Sequence, residues 1–194
     1  MADGTLKVGT ITTSSGSGTI TLGQSGETVD MSNGTMTLNS SMKMTPAFEA
    51  YLGGSGGQAV SDNTVTLVQA NTEVYDTDSD YDTSTYRFTP QVAGKYMVYG
   101  SVLAETGSSS NLNENYLYIK KNGSNITEYE KNFASNPIRI DLIQVSAIID
   151  MNGSSDYLEL YGRINSASGS GQLFESDSQY KRATAFGAYR VIGA

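Results

Sequence analysis

Neither cysteine nor histidine occurs among the 194 residues, and each absence closes a class of function. Without cysteine there is no disulfide framework and no thiolate zinc site, and the redox compartment stays open. Without histidine the usual general base, the usual imidazole metal ligand and the switch near neutral pH are all missing, so hydrolase chemistry would have to be built from carboxylates alone. Basic residues are also few: 12 Lys and Arg stand against 20 Asp and Glu, a net charge of -8. They are scattered along the chain and form no stripe, so the field repels phosphate and nucleic acid is not an expected partner. No segment approaches the roughly 20 consecutive apolar residues of a membrane helix, and residues 1–10 show no basic stretch leading into an apolar run. Membrane insertion and export by a signal peptide are therefore not expected. Prolines number only three, and neither a heptad nor a collagen triplet is present.

What is present reads as strand and turn. Short runs rich in Val, Ile, Thr and Tyr alternate with period two between Gly, Ser, Thr and Asn clusters. The best helical spacing, around Ala47 to Leu52, is too short to stand alone. Up to about Thr45 the chain repeats small units, Gly9-Thr-Ile-Thr, Gly18-Thr-Ile-Thr-Leu, Glu27-Thr-Val-Asp-Met and Gly34-Thr-Met-Thr-Leu. One copy of so thin a segment cannot bury Ile11, Ile20, Leu22, Val29, Met31, Met36 and Leu38 against itself. Residues 1–45 are accordingly expected to form a β-repeat stalk or anchor completed by other copies; the alternative is a polar leader that orders only on docking.

Residues 46–194 carry the pattern of a full β-sandwich. Thr64-Val-Thr-Leu-Val, Gly94-Lys-Tyr-Met-Val-Tyr and Tyr116-Leu-Tyr-Ile-Lys alternate, and Asn122-Gly123 supplies a tight hairpin. Ile138, Ile140 and Leu142 share one parity while Ile143, Val145, Ala147, Ile149 and Met151 take the other, which predicts a β-bulge near Leu142. Tyr157-Leu-Glu-Leu-Tyr and the run from Ala183 to Ile192 complete eight or more strands, a number that suits a jelly roll.

Four strings, in order, resemble the complement-type globular head of the tumour necrosis factor-like jelly-roll superfamily. They are Ala47-Phe-Glu-Ala-Tyr-Leu, Tyr81-Asp-Thr-Ser-Thr-Tyr-Arg-Phe-Thr-Pro with Gly94-Lys-Tyr, Lys121-Asn-Gly, and Ala185-Phe-Gly-Ala-Tyr-Arg-Val-Ile. The resemblance implies an all-β jelly-roll head over 46–194 whose first and last strands pair and which works as a homotrimer around a three-fold axis. The leader, from Leu6-Lys-Val-Gly-Thr-Ile through Gly18-Thr-Ile-Thr-Leu-Gly-Gln, resembles leaders of bacteriophage tail-fibre and related virion proteins. That resemblance implies a virion protein assembled in the host cytoplasm, docked on other virion proteins through its N-terminal segment.

The function expected on these grounds is non-enzymatic: a trimeric fibre or tail-tip component binding a host surface glycan or protein, with avidity in place of tight single contacts. A capsid decoration or head-fibre protein is the alternative; a glycan-cleaving fibre and a cellular lectin-like trimer are further readings. Candidate recognition loops are 107–115 and 166–172, against the preferred reading of polar surface loops without a role; Tyr116 and Tyr118 are candidates for stacking on sugars or filling a subunit interface, against the preferred reading of ordinary sandwich packing with a hydroxyl at the rim. No cofactor is expected, with one exception. The run Asp76-Thr-Asp78-Ser-Asp80-Tyr-Asp82 offers alternating hard oxygen ligands to calcium. Tyr81 stands where a calcium loop needs glycine, and Arg87 where it needs a bidentate glutamate, so a solvated acidic loop is the competing reading. A glycosidase would need two acids about 5 to 10 Å apart, and the spacing of Asp150, Asp156, Glu159, Glu175 and Asp177 suggests no such pair.

Overall fold

In a computed structural model the described residues are 42–169, 171–175 and 182–192, with a few single positions between 25 and 39. The chain divides between Thr37 and Leu38, and everything below concerns the larger unit. The expected β stalk over 1–45 lies for the most part outside the described residues.

Among the described residues thirteen strands follow in chain order: β1 Ala47–Tyr51, β2 Gln58–Val60, β3 Thr66–Leu67, β4 Thr72–Asp76, β5 Tyr81–Asp82, β6 Arg87–Phe88, β7 Gly94–Thr106, β8 Leu112–Lys121, β9 Ser124–Asn132, β10 Ile140–Met151, β11 Leu158–Ser166, β12 Gln172–Phe174 and β13 Ala185–Arg190. They form two antiparallel sheets, one of β2, β12, β7, β13, β1 and β4 with β10 on the far side of β7, the other of β5, β6, β11, β8 and β9 with β3 on β11. This is the expected jelly-roll sandwich, and β1 does pair with the last strand, β13.

Alternation drives the assembly. Tyr96, Val98, Val102 and Ala104 of β7 face Leu117, Ile119, Leu158, Leu160 and Ile164 of the second sheet across a dry core. At one end of that core Phe48 stacks on Tyr81 and on Phe88 with ring centroids 4.5 Å apart, and meets Phe186 edge-on at 5.1 Å. The string read as an opening strand thus supplies the centre of an aromatic cluster gathered from β1, β5, β6 and β13. The Asn122-Gly123 turn is formed as expected: both residues have positive φ, which Gly adopts freely and Asn tolerates.

One expectation is corrected. β10 pairs with β7 in unbroken register from Ile140↔Glu105 to Met151↔Gly94, so there is no bulge near Leu142. The mixed parity arises because both faces of β10 carry apolar residues: Ile143, Val145 and Ile149 are buried in the core, whereas Leu142 and Ile148 project outward, Ile148 with 63% of its surface exposed. A strand apolar on both sides has two surfaces to bury, and the sandwich covers only one.

Candidate functional site

The outward face of the first sheet follows from the strand registers, because directly opposed residues of an antiparallel ladder share a face. One row reads Ala47, Tyr189, Met97, Ile148; the next reads Tyr75, Glu49, Gly187, Tyr99, Ser146; a third reads Tyr51, Ala185, Ser101, Gln144. Tyrosines, a methionine and small residues dominate. Tyr99 lies over Gly187, where a Cβ would meet the ring within 2.3 Å, so glycine at this position is what lets the aromatic lie flat on the sheet. Glu49 is the one acid in these rows. It accepts a hydrogen bond from the Tyr99 hydroxyl at 3.0 Å and faces the Arg182 guanidinium at 3.9 Å. Burial, followed by that bond to Glu49, drives the Tyr99 hydroxyl's pKa far up, so it stays a donor.

Beside this face runs the margin where edge strands β9 and β10 meet. Ile126 and Tyr129 of β9 are about half exposed, Leu142 of β10 somewhat less and Ile148 more. Tyr129, Tyr99, Ser101, Gln144 and Ser146 line an open pocket of about 340 Å³ that joins margin to face.

The two loops singled out from sequence come together at one pole. Gly107 N donates to Gly171 O at 3.0 Å, Ala167 N to Asn111 O at 2.8 Å and Ser168 N to Asn111 Oδ1 at 2.8 Å. Asp62, which the sequence reading did not select, organises them: its Oδ1 accepts from Ser166 N, Ser166 Oγ and Gln172 Nε2 at 2.8 to 3.2 Å. The first loop is shorter than expected, since Leu112 to Asn115 already belong to β8, with Leu112 and Asn115 wholly buried. No sequence signal could have tied Asp62 to Ser166, about a hundred residues on; only the folded sandwich joins them.

Tyr116 and Tyr118 lie parallel on the outward face of the second sheet, 6.2 Å apart, with the Arg163 guanidinium 3.7 Å over the Tyr116 ring. Both rings are buried. The arginine occupies one face of the Tyr116 ring, and the arrangement agrees with the packing reading of these tyrosines over the sugar platform. Lys120 over Tyr161 and Arg87 over Tyr157, each at 4.3 Å, repeat the arrangement along the sheet.

The four aspartates of the acidic run are engaged locally. Asp76 Oδ1 accepts from Asp78 N and Ser79 N, and its Oδ2 from Tyr81 N at 2.8 Å. Asp80 Oδ2 accepts from Gln91 N, Asp82 takes Ser84 and Thr85 donors, and Asp78 accepts from the Thr77 hydroxyl. These are turn-forming bonds, and among the described residues no three His, Cys, Asp or Glu side chains gather as metal ligands. Of the acids considered for glycoside cleavage, Asp150 pairs with Lys95 at 2.6 Å, Asp156 with Lys121 at 2.8 Å and Glu159 with Arg87 at 2.8 Å. Each acid has its own cation; Glu175 is buried, and Asp177 lies outside the described residues.

The acidic loop makes stability pH-dependent in a defined direction. Hydrogen bonds, first from the Ser84 hydroxyl and then from Ser84 N and the Thr85 hydroxyl, hold Asp82 down at about 2 against an ordinary 3.8. Asp156 is lowered as well, chiefly by Lys121 and then Asn122. A carboxylate lowered by folding stabilises the native state above its unfolded pKa and loses that contribution as pH falls through the folded value. Asp80, raised mainly by burial, acts in the opposite sense and offsets part of the loss. The urea midpoint is therefore expected to fall as pH drops from 3.8 toward about 2. Asp82→Ala should start lower at pH 6 and change less across that window; a variant with the same acid sensitivity as the parent would contradict this assignment.

No protein-family model and no curated protein sequence matches the chain. Among solved structures it is similar to the globular domain of zebrafish complement 1qA protein, with a TM-score of 0.52 and 13% identity, over 76% of this chain and 98% of that one. At that identity the likeness establishes the fold, a complement-type, tumour necrosis factor-like jelly roll.

Proposed function

We propose that this chain is a non-enzymatic head protein that closes into a homotrimer and acts by binding, as a fibre or tail-tip component of a bacteriophage virion. The observation that carries the reading is the outward face of the first sheet, with Met97, Tyr99, Tyr189 and the exposed Ile148 in adjacent rows. The occupant is a second copy of the chain. Each copy presents two apolar areas, the face itself, which Leu142 and Ile148 extend along β10, and the exposed Ile126 and Tyr129 of the neighbouring edge strand β9. Laying the margin of one copy on the face of the next covers both, and a head-to-tail contact of this kind closes into a ring of three when each copy is turned by a third of a revolution from the last.

The virion setting rests on the leader, whose Thr/Gly repeats resemble those of phage fibre proteins and whose apolar residues need other chains to cover them. Recognition is assigned to the polar pole around Asp62, Asn111 and Ser166, repeated three times so that weak contacts add as avidity. The test is retention of bacterial lipopolysaccharide, capsular polysaccharide or wall fragments by the immobilised full chain. One fraction should be held by the parent and released in Asp62→Ala without loss of the trimer. Retention of none of the three by an intact trimer would contradict host attachment, and cosedimentation with capsids in place of tails would move the protein to the shell.

A further inference from the structure

Three polar side chains meet between the sheets at the open β9–β10 margin. Asn115 of β8 and Lys131 of β9 are direct cross-strand partners, so their Cβ atoms lie about 5 Å apart on one face. Asp141 reaches them from β10 in the opposite sheet. Its Oδ1 accepts from Lys131 Nζ at 3.0 Å and its Oδ2 from Asn115 Nδ2 at 3.1 Å, so a single carboxylate bridges an amine and a carboxamide. Asn115 is fully buried, and its carbonyl oxygen finds no hydrogen-bond donor among the described residues. A buried amide left half satisfied is a poor structural asparagine and needs another explanation.

We propose that Lys131 and Asn115 join in an intramolecular amide cross-link, with Asp141 as the proton relay. The balance closes on these three groups. Lys131 Nζ begins as an ammonium and ends as an amide N–H, so it gives up two protons. Its lone pair forms a bond to Asn115 Cγ, and the Cγ–Nδ2 bond breaks. Asp141, in contact with both nitrogens, passes the two protons to Nδ2, which departs as ammonium, and is itself a carboxylate before and after. Nothing is oxidised and no co-reactant is consumed; the reaction happens once per chain and is not turnover.

The position explains why such a bond would be useful. β9 is exposed along nearly its whole length, and among the described residues its only backbone ladder is with β8. The chain has no cysteine with which to staple it. A covalent rung from β8 to β9 holds an edge strand that side-chain burial does not.

Intact mass of the purified full chain, after allowance for removal of the initiator methionine, tests this without any ligand. The parent should fall short of its sequence mass by one ammonia, while Lys131→Arg and the near-isosteric Asp141→Asn should carry their full masses. Trypsin should release a branched peptide joining Asn115 to Lys131, although it cuts at Lys120 and Lys121 between them. A succinimide at Asn122-Gly123 or Asn152-Gly153 also loses ammonia, but it persists in Lys131→Arg and gives no branched peptide, so that result overturns the proposal. So does a parent chain at full sequence mass after prolonged incubation, whatever the variants do. Loss of water with a branch at Asp141 would overturn Asn115 as the acyl partner.

Discussion

Phe48→Ala is expected to cost about 3–5 kcal/mol of folding stability, a large share of the ~5–15 kcal/mol that holds a typical domain together. Phe48 is fully buried, and its ring is in contact with Tyr81, Phe88 and Phe186, so truncation removes apolar burial and three aromatic contacts at once. The neighbours cannot collapse into the gap. Phe88 is also held against Tyr96, and the Tyr81 hydroxyl is tied to Ala70 O at 2.8 Å. The urea midpoint should therefore fall sharply with little change in slope. A variant within 1 kcal/mol of the parent would mean that this cluster is not the keystone of the sandwich.

Ile148→Asp is expected to have the opposite profile, leaving the fold intact and abolishing self-association. With 63% of its surface exposed, Ile148 contributes little to the core of one copy, so the unfolding midpoint of the isolated head should barely move. Burying an isoleucine against a neighbour is worth about 1.5–3 kcal/mol. Replacing it by a carboxylate removes that gain and adds a charge that must be desolvated, at three equivalent contacts in a closed ring. The association constant should drop by roughly tenfold or more per contact, enough to dissociate the assembly at micromolar concentration. Loss of the fold together with loss of assembly would mean that Ile148 belongs to the core.

The strands were legible because alternation and turn chemistry are local. Tyr116 to Lys120 and the Asn122-Gly123 turn announce a hairpin within a dozen residues, and the structure forms it. Local signals also misled. The double parity in β10 suggested a bulge because a sequence cannot say whether a second apolar face is a register shift or a surface awaiting a partner. The acidic run left a calcium loop and the preferred solvated turn side by side, and in the structure Asp76 turns back onto the backbone N–H groups of Asp78, Ser79 and Tyr81. Sites that depend on long-range closure were out of reach altogether. Asp62 meets Ser166 about a hundred residues on, and Asp141 reaches Asn115 and Lys131 of the β8–β9 hairpin only after the two sheets have packed. Tyr116 read from sequence as a packed tyrosine ahead of a sugar platform, but its partner Arg163, placed opposite it in the ladder, was not legible.

Everything proposed about function depends on three copies covering the outward face of the first sheet. Sedimentation equilibrium of the full chain at low micromolar concentration measures this directly. The expected result is a single species of three times the 20.7 kDa chain mass that reverts to one chain in Ile148→Asp. A folded parent that sediments at the mass of one chain across the concentration range would contradict the account.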